Sequence, residues 1–123
     1  MKIIPLLRVL NMKQAIDFYT KILDFEFKYP SVSEDDWGID LINDKAEIKL
    51  TIAEGDQKSG IAIYVEVDEV DNLFKKYLSR GLDTSSKKES PVHQGPLTQT
   101  WGTREFYVND PGGNTLRFFS AKQ

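Results

Sequence analysis

The sequence contains no cysteine. That excludes disulfides, thiolate metal sites and a cysteine nucleophile together. Histidine is nearly absent as well: His93 is the only one, so one chain cannot assemble a set of imidazole ligands. No apolar run approaches the ~20 residues that a membrane-spanning helix needs. Basic charge is not in excess either. With 16 Lys and Arg against 19 Asp and Glu, the formal net charge is −3, which argues against non-specific nucleic-acid binding, where clustered positive charge is required. Glycine-rich phosphate loops and nucleophile elbows are missing. The opening Met1-Lys2-Ile3-Ile4-Pro5 runs into a strand-like pattern instead of a signal peptide, so the expected setting is the cytoplasm.

What is present fits one domain over residues 1–123. The chain is 40% hydrophobic and 28% charged, a globular balance able to bury a modest core. Ile3 to Val9 reads as a strand that Pro5 confines to an edge or an exchanged arm. Asn11 offers an N-cap, with Gln14 in capping-box position. Met12, Ala15, Ile16, Tyr19, Ile22 and Leu23 then share one face of an amphipathic helix of about three turns. Phe25 to Tyr29 is a second strand, broken at Pro30-Ser31. Trp37 to Ile42 is a third, Asn43-Asp44 turns the chain, and Ala46 to Ile52 is a fourth. There Ile48, Leu50 and Ile52 face one way while Glu47, Lys49 and Thr51 face the other.

After a polar linker the pattern restarts. Ile61, Ile63, Val65 and Val67 alternate with Ala62, Tyr64 and Glu66 in a half-buried strand. Asp68 is placed to cap a helix carrying Val70, Leu73, Phe74, Tyr77 and Leu78 on one face, and Gly81 suits its C-terminal stop. A polar segment from Thr84 to Thr100 holds one weak strand. A hairpin from Trp101 to Phe119 closes the chain around Asp110-Pro111-Gly112-Gly113-Asn114. In that turn Pro111 presets φ, and Gly112 or Gly113 supplies a positive φ.

The order is β-α-β-β-β, twice, and the repeat shows in residues. Val9, Met12, Ile16 and Tyr19 match Val67, Val70, Phe74 and Tyr77 at an offset of 58, Asn43-Asp44 matches Asn109-Asp110 at 66, and Lys49-Leu50 matches Arg117-Phe118 at 68. The drift places most of the extra length in the loop before Trp101. The fold class is therefore α+β: two tandem βαβββ modules, 1–53 and 61–123, joined by a linker over 54–60. Each module is expected to form a curved mixed sheet with its helix on the outer face, the sheets enclosing a cavity. An open sheet leaves that cavity exposed unless a second copy closes it, so a homodimer is expected.

A tandem β-α-β-β-β chain ending in Asp-Pro-Gly-Gly-Asn resembles the glyoxalase, bleomycin-resistance and extradiol-dioxygenase superfamily, the vicinal oxygen chelate fold. The run Trp101-Gly102-Thr103-Arg104-Glu105-Phe106 followed by Asp110-Pro111 is similar to the bleomycin-resistance branch. So are Pro5-Leu6-Leu7 with Ala15-Ile16-Asp17-Phe18-Tyr19, and Glu34-Asp35-Asp36-Trp37-Gly38. The resemblance implies a dimer with an exchanged N-terminal arm hooked at Pro5 and two equal pockets between subunits. It also implies that Trp37 and Trp101 stack on flat rings of the ligand. Four metal-ligand positions carry over to Ile4, Lys49, Ala62 and Arg117, none of which can ligate a divalent metal, so no metal and no cofactor are expected.

By strand alternation Lys49 and Arg117 should point into the cavity with Glu47, Tyr64, Glu66, Glu105, Tyr107 and Phe119. The expectation is that both cations are consumed in an ion-pair network with Glu47, Glu66 or Glu105; left free, they would select an anionic ligand. Glu34, Asp35, Asp36 and Glu105 offer negative charge at the cavity mouth. His93 reads as an exposed loop histidine, and Glu105 as a base has no positioned partner.

The ligand-binding set is thus Trp37, Lys49, Tyr64, Trp101, Glu105, Tyr107, Arg117 and Phe119, with no catalytic residue. The function expected is metal-free binding that sequesters a planar aromatic molecule, a bleomycin-like drug or an aromatic metabolite. Alternatives are a metal-dependent lyase or dioxygenase, and a structural or regulatory dimer without ligand. Titration of intrinsic tryptophan fluorescence separates the first from the rest.

Overall fold

A computed structural model of the protein describes residues 1–30 and 33–121. The chain divides into two compact units: Met1–Ile61 with Asn109–Asn114, and Ala62–Val108 with the chain from Thr115 onward. The break expected at Pro30-Ser31 falls partly on Ser31, which lies outside the described residues.

In the first unit a four-stranded sheet has the order β1-β4-β3-β2, built from β1 (Leu6–Arg8), β2 (Glu26–Phe27), β3 (Gly38–Asn43) and β4 (Ala46–Thr51). β1 lies parallel to β4, and the other neighbours are antiparallel. β1 is shorter than the predicted span. Pro5 contributes a carbonyl to the Lys49 N–H at 2.9 Å but has no N–H of its own to continue the ladder. The second strand, predicted to reach Tyr29, is confined to Glu26–Phe27, with Lys28 adding one bond to Asp40.

α1 (Met12–Asp17) is capped as expected: the Asn11 side chain accepts the Gln14 N–H. It continues through Phe18–Ile22 as a π-helical turn closed by Leu23 N–H to Phe18 O at 3.1 Å. The predicted face is real, with Met12, Ala15, Tyr19 and Leu23 buried together with Leu41, Ile48 and Leu50 of the sheet.

The second unit repeats the plan with order β5-β8-β7-β6. Its strands are β5 (Ala62–Glu66), β6 (Leu97–Thr98), β7 (Arg104–Asn109) and β8 (Thr115–Ser120). β5 runs parallel to β8, with Tyr64 opposite Arg117 and Glu66 opposite Phe119. α2 (Val70–Ser79) lays Val70, Phe74 and Tyr77 into the core. Phe74 meets Phe106 edge-on at 5.1 Å, Tyr77 meets Phe118 at 5.6 Å, and Phe106 stacks on Phe118 at 5.0 Å. Burying rings of this size supplies most of a small domain's cohesion.

Asp68 does not cap α2. The N-cap is Glu69, which makes no side-chain cap bond, and Leu78 stays exposed. The polar segment from Thr84 to Thr100 is more structured than expected: besides the weak strand β6 it holds a short 3₁₀ turn at Ser85–Lys87 and α3 (Pro91–Gln94). Ser90-Pro91 was a readable start signal for α3, since proline suits the first helical position.

Candidate functional site

One face of the second sheet is covered by α2. The other carries Tyr64 from β5, Glu105 and Tyr107 from β7, and Arg117 and Phe119 from β8. A loop folds onto it between β6 and β7. Gln99 N–H bonds to Thr103 O at 2.7 Å and Gly102 N–H to Gln99 O at 3.0 Å, with Gly102 at φ +102°, where a Cβ would be strained. The glycine of the Trp-Gly pair therefore sets the bend, and the bend presents Trp101.

Glu105 anchors that arrangement. It is 1% exposed, and a buried carboxylate needs partners. Oε2 accepts the Trp101 indole N–H at 3.1 Å and the Thr103 hydroxyl, while Oε1 accepts the Tyr107 hydroxyl at 2.9 Å. Trp101 is thus pinned through its nitrogen while 64% of it stays exposed, the condition for a stacking shelf. Burial first, and then the Glu105 bond, push the Tyr107 phenol up to about 12, so it stays a proton donor. Tyr64, Trp101, Thr103, Glu105 and Phe119 line a pocket of about 210 Å³.

Arg117 sits beside it. Its guanidinium carbon lies 4.7 Å from the Tyr107 ring centre and 5.5 Å from that of Tyr64, and Nη1 donates to the Tyr64 hydroxyl at 3.1 Å. The ion-pair network expected for it does not form: no ion pair among the described residues includes Arg117. Its Nε is the one buried side-chain polar atom among the described residues without a hydrogen-bond partner. The other predicted pairings are also redrawn. Glu47 takes Lys2 at 2.6 Å and Lys28 at 2.9 Å, and Lys49 approaches Asp40 at 3.9 Å.

Six of the eight predicted ligand-binding residues therefore gather on one face of the second unit. Trp37 and Lys49 belong to the first, where Trp37 is exposed and precedes β3. Glu34, Asp35 and Asp36 also lie there, and Asp36 closes a turn by accepting the Ser33 N–H. His93 is not a bare loop residue. It sits in α3, half-buried, with its ring 5.7 Å from Tyr107 and Nδ1 2.7 Å from Ser90 Oγ. Thr103 was missed, although its place two residues before Glu105, just ahead of β7, was a legible signal.

The Asp110-Pro111-Gly112-Gly113-Asn114 turn has a different job. Asp110 and Asn114 are buried. Asp110 accepts the Gly112 and Asn114 N–H groups on Oδ1 and the Tyr19 hydroxyl and Asn114 Nδ2 on Oδ2, at 2.8 to 3.0 Å. Asn114 passes the network on, donating to Arg8 O and accepting from Gly60 and Ile61 N–H. Burial and then Asp110 hold the Tyr19 phenol well above its usual range. Of the two glycines it is Gly113 that has positive φ, at +91°. A Cβ at Gly112 would lie 3.2 Å from Val9 Cα, so its role is close approach of backbone.

The sequence profile of the glyoxalase/bleomycin resistance protein/dioxygenase superfamily matches residues 4–118. The chain belongs to that superfamily. No curated protein sequence matches it. Among solved structures it is similar to a bleomycin resistance determinant encoded on the transposon Tn5, with 17% identity and TM-score 0.78 over 100% of this chain and 99% of that one. A bleomycin-binding protein from bleomycin-producing Streptomyces verticillus, complexed with copper(II)-bleomycin, gives 21% identity and TM-score 0.69 over 100% and 97%. A lactoylglutathione lyase from Agrobacterium tumefaciens gives 13% and 0.72 over 97% and 92%. At these identities the likeness establishes the fold, which hosts both binders and enzymes.

The metal-ligand positions of the superfamily's enzymes test poorly in this member. Lys49 pairs with Leu6 across β4 and β1 as Arg117 pairs with Tyr64 across β8 and β5, so the two cations hold equivalent places in the two sheets. Ile4 and Ala62 stand two residues upstream of Leu6 and Tyr64. Two aliphatic chains and two cations offer no donor set for a divalent ion. Among the described residues no group of three or more His, Asp or Glu side chains could hold one.

Proposed function

We propose that this superfamily member is a metal-free binding protein that sequesters a planar aromatic small molecule and performs no chemistry on it. The observation that carries the reading is the Trp101 shelf: an exposed indole fixed by its N–H to a buried carboxylate, with Tyr64 and Phe119 beside it. Rigid aromatics give large contact area at low entropic cost. The bleomycin-binding relatives supply the first ligand to try, a bleomycin-like drug, with aromatic metabolites next. In this reading Trp37 and Lys49 belong to the same binding face, completed in a homodimer by the opposite module of a second copy and the arm before Pro5. Met1, Ile3, Ile4, Trp37 and Trp101 are exposed in the single chain, and they are the side chains such an assembly would cover.

A thermal-shift panel tests this, because any ligand of the native state raises its apparent stability. Bleomycin-like drugs and aromatic metabolites are compared with Fe, Mn, Ni and Zn salts, before and after chelation. Stabilisation by an aromatic ligand that survives chelation is the expected result. Stabilisation by a metal alone, or by no aromatic compound, contradicts it.

A further inference from the structure

We infer that the aromatic pocket of the second unit selects its ligand by a carboxylate, and that Arg117 is the residue that reads it. The inference rests on the aromatic-binding reading above and names the ligand class within it: a small aromatic acid of one or two rings.

The charge on this face is unevenly satisfied. Glu105 has three neutral donors, from Trp101, Thr103 and Tyr107, on its two oxygens. A carboxylate saturated in this way is held in place and has little left to offer a cationic ligand. Arg117 is the reverse case. Among the described residues its five donors meet one acceptor, the Tyr64 hydroxyl, and its buried Nε has none. Native structures rarely leave a buried donor empty, so such a group calls for an explanation. A carboxylate arriving on the exposed Nη side would meet the guanidinium fork with two parallel bonds that can include Nε.

The geometry joins the two halves of such a ligand. Tyr64 both lines the pocket and holds Nη1 of Arg117, so a ring on the Trp101 shelf and an acid group at Arg117 are one side chain apart. The rings of Tyr64 and Tyr107 keep the guanidinium in position, which lowers the cost of ordering it on binding. Within one chain the pocket measures about 210 Å³, room for a ring system of this size on the Trp101 shelf.

Calorimetric titration of the full-length protein with indole-3-acetate and its neutral isostere indole-3-acetamide tests this. The acid should bind at least about tenfold more tightly, the scale of a hydrogen bond to a charged group. Arg117→Gln should remove that preference, so that acid and amide bind with similar affinity, and Arg117→Lys should restore part of it. The wild-type comparison stands whether or not the variants fold. Equal or weaker binding of the acid, or a preference that persists in a folded Arg117→Gln, overturns the carboxylate assignment and leaves the aromatic-binding reading intact. If neither compound binds, the carboxylate assignment falls, and the thermal-shift panel decides the aromatic-binding reading separately.

Discussion

Asp110 is the residue on which most depends, and its role is architectural. Its carboxylate collects two backbone N–H groups, a tyrosine hydroxyl and an amide inside the first unit. Asp110→Ala strands those donors in a buried place, and each unsatisfied group costs about 1–3 kcal/mol. The expected loss is therefore roughly 3 kcal/mol or more in urea-induced unfolding; a loss under about 1 kcal/mol would show that water replaces the carboxylate. From sequence the turn's conformation was legible, since Pro111 and the glycines dictate it. The cluster was not, because Tyr19 and Asn114 are joined to Asp110 by tertiary packing that no local pattern encodes. Arg117 shows the same limit. Alternation gave its face, but whether Glu105 would pair with it depended on Trp101 and Thr103 reaching that carboxylate first.

Glu47 gives a pH-dependent prediction at this scale. The bonds from Lys2 and then Lys28 hold its carboxyl below the ordinary 4.5. The unfolded chain therefore takes up this proton at higher pH than the folded one. The stabilisation is present above about 4.5 and is lost as pH falls through the lowered folded value. Unfolding followed from neutral to acid pH should show a shallower loss of stability on that acid limb in Glu47→Gln than in the wild type. Identical limbs would mean that the two lysines do not engage it in solution.

At the scale of elements, α2 depends on its C-terminal end, since its N-terminus has no side-chain cap. The Leu82 N–H reaches back to Tyr77 O and the Gly81 N–H to Leu78 O, both at 3.0 Å, with Gly81 at φ +99°. This is the glycine-terminated helix stop that the sequence announced. Gly81→Ala should lower stability by about 1 kcal/mol through backbone strain alone, seen as a fall in Tm without change in the folded far-ultraviolet spectrum; an unchanged Tm would contradict the stop. Periodicity located both helices because their buried faces repeat at helical spacing. It misplaced the cap of α2, because residue type favours Asp68 whereas the helix starts one residue later, after Glu69, and it passed over α3, too short to show a period.

At the scale of the molecule, duplication has produced two sheets of one topology with different open faces. The Lys2–Glu47–Lys28 bridges and the Lys49–Asp40 pair satisfy charge in the first. The corresponding surface of the second holds Tyr64, Tyr107, Phe119 and a guanidinium with no ion-pair partner among the described residues. The repeat was legible because helix and strand positions recur in register, and with it the α+β class and the superfamily. How the two sets of site residues divide was legible only as far as each strand's facing. In solution the protein is expected to sediment as a dimer; a monomer at all concentrations would contradict closure of the binding face by a second copy.

The most direct test of metal-free aromatic binding uses the shelf itself as the reporter. In a Trp37→Phe variant, Trp101 is the only indole left. Its emission is titrated with bleomycin and with single aromatic acids, after exhaustive chelation. Saturable quenching by at least one of them at or below tens of micromolar, roughly the affinity a useful scavenger requires, is the predicted result. Emission that stays flat for every compound until a divalent metal is added would contradict the account.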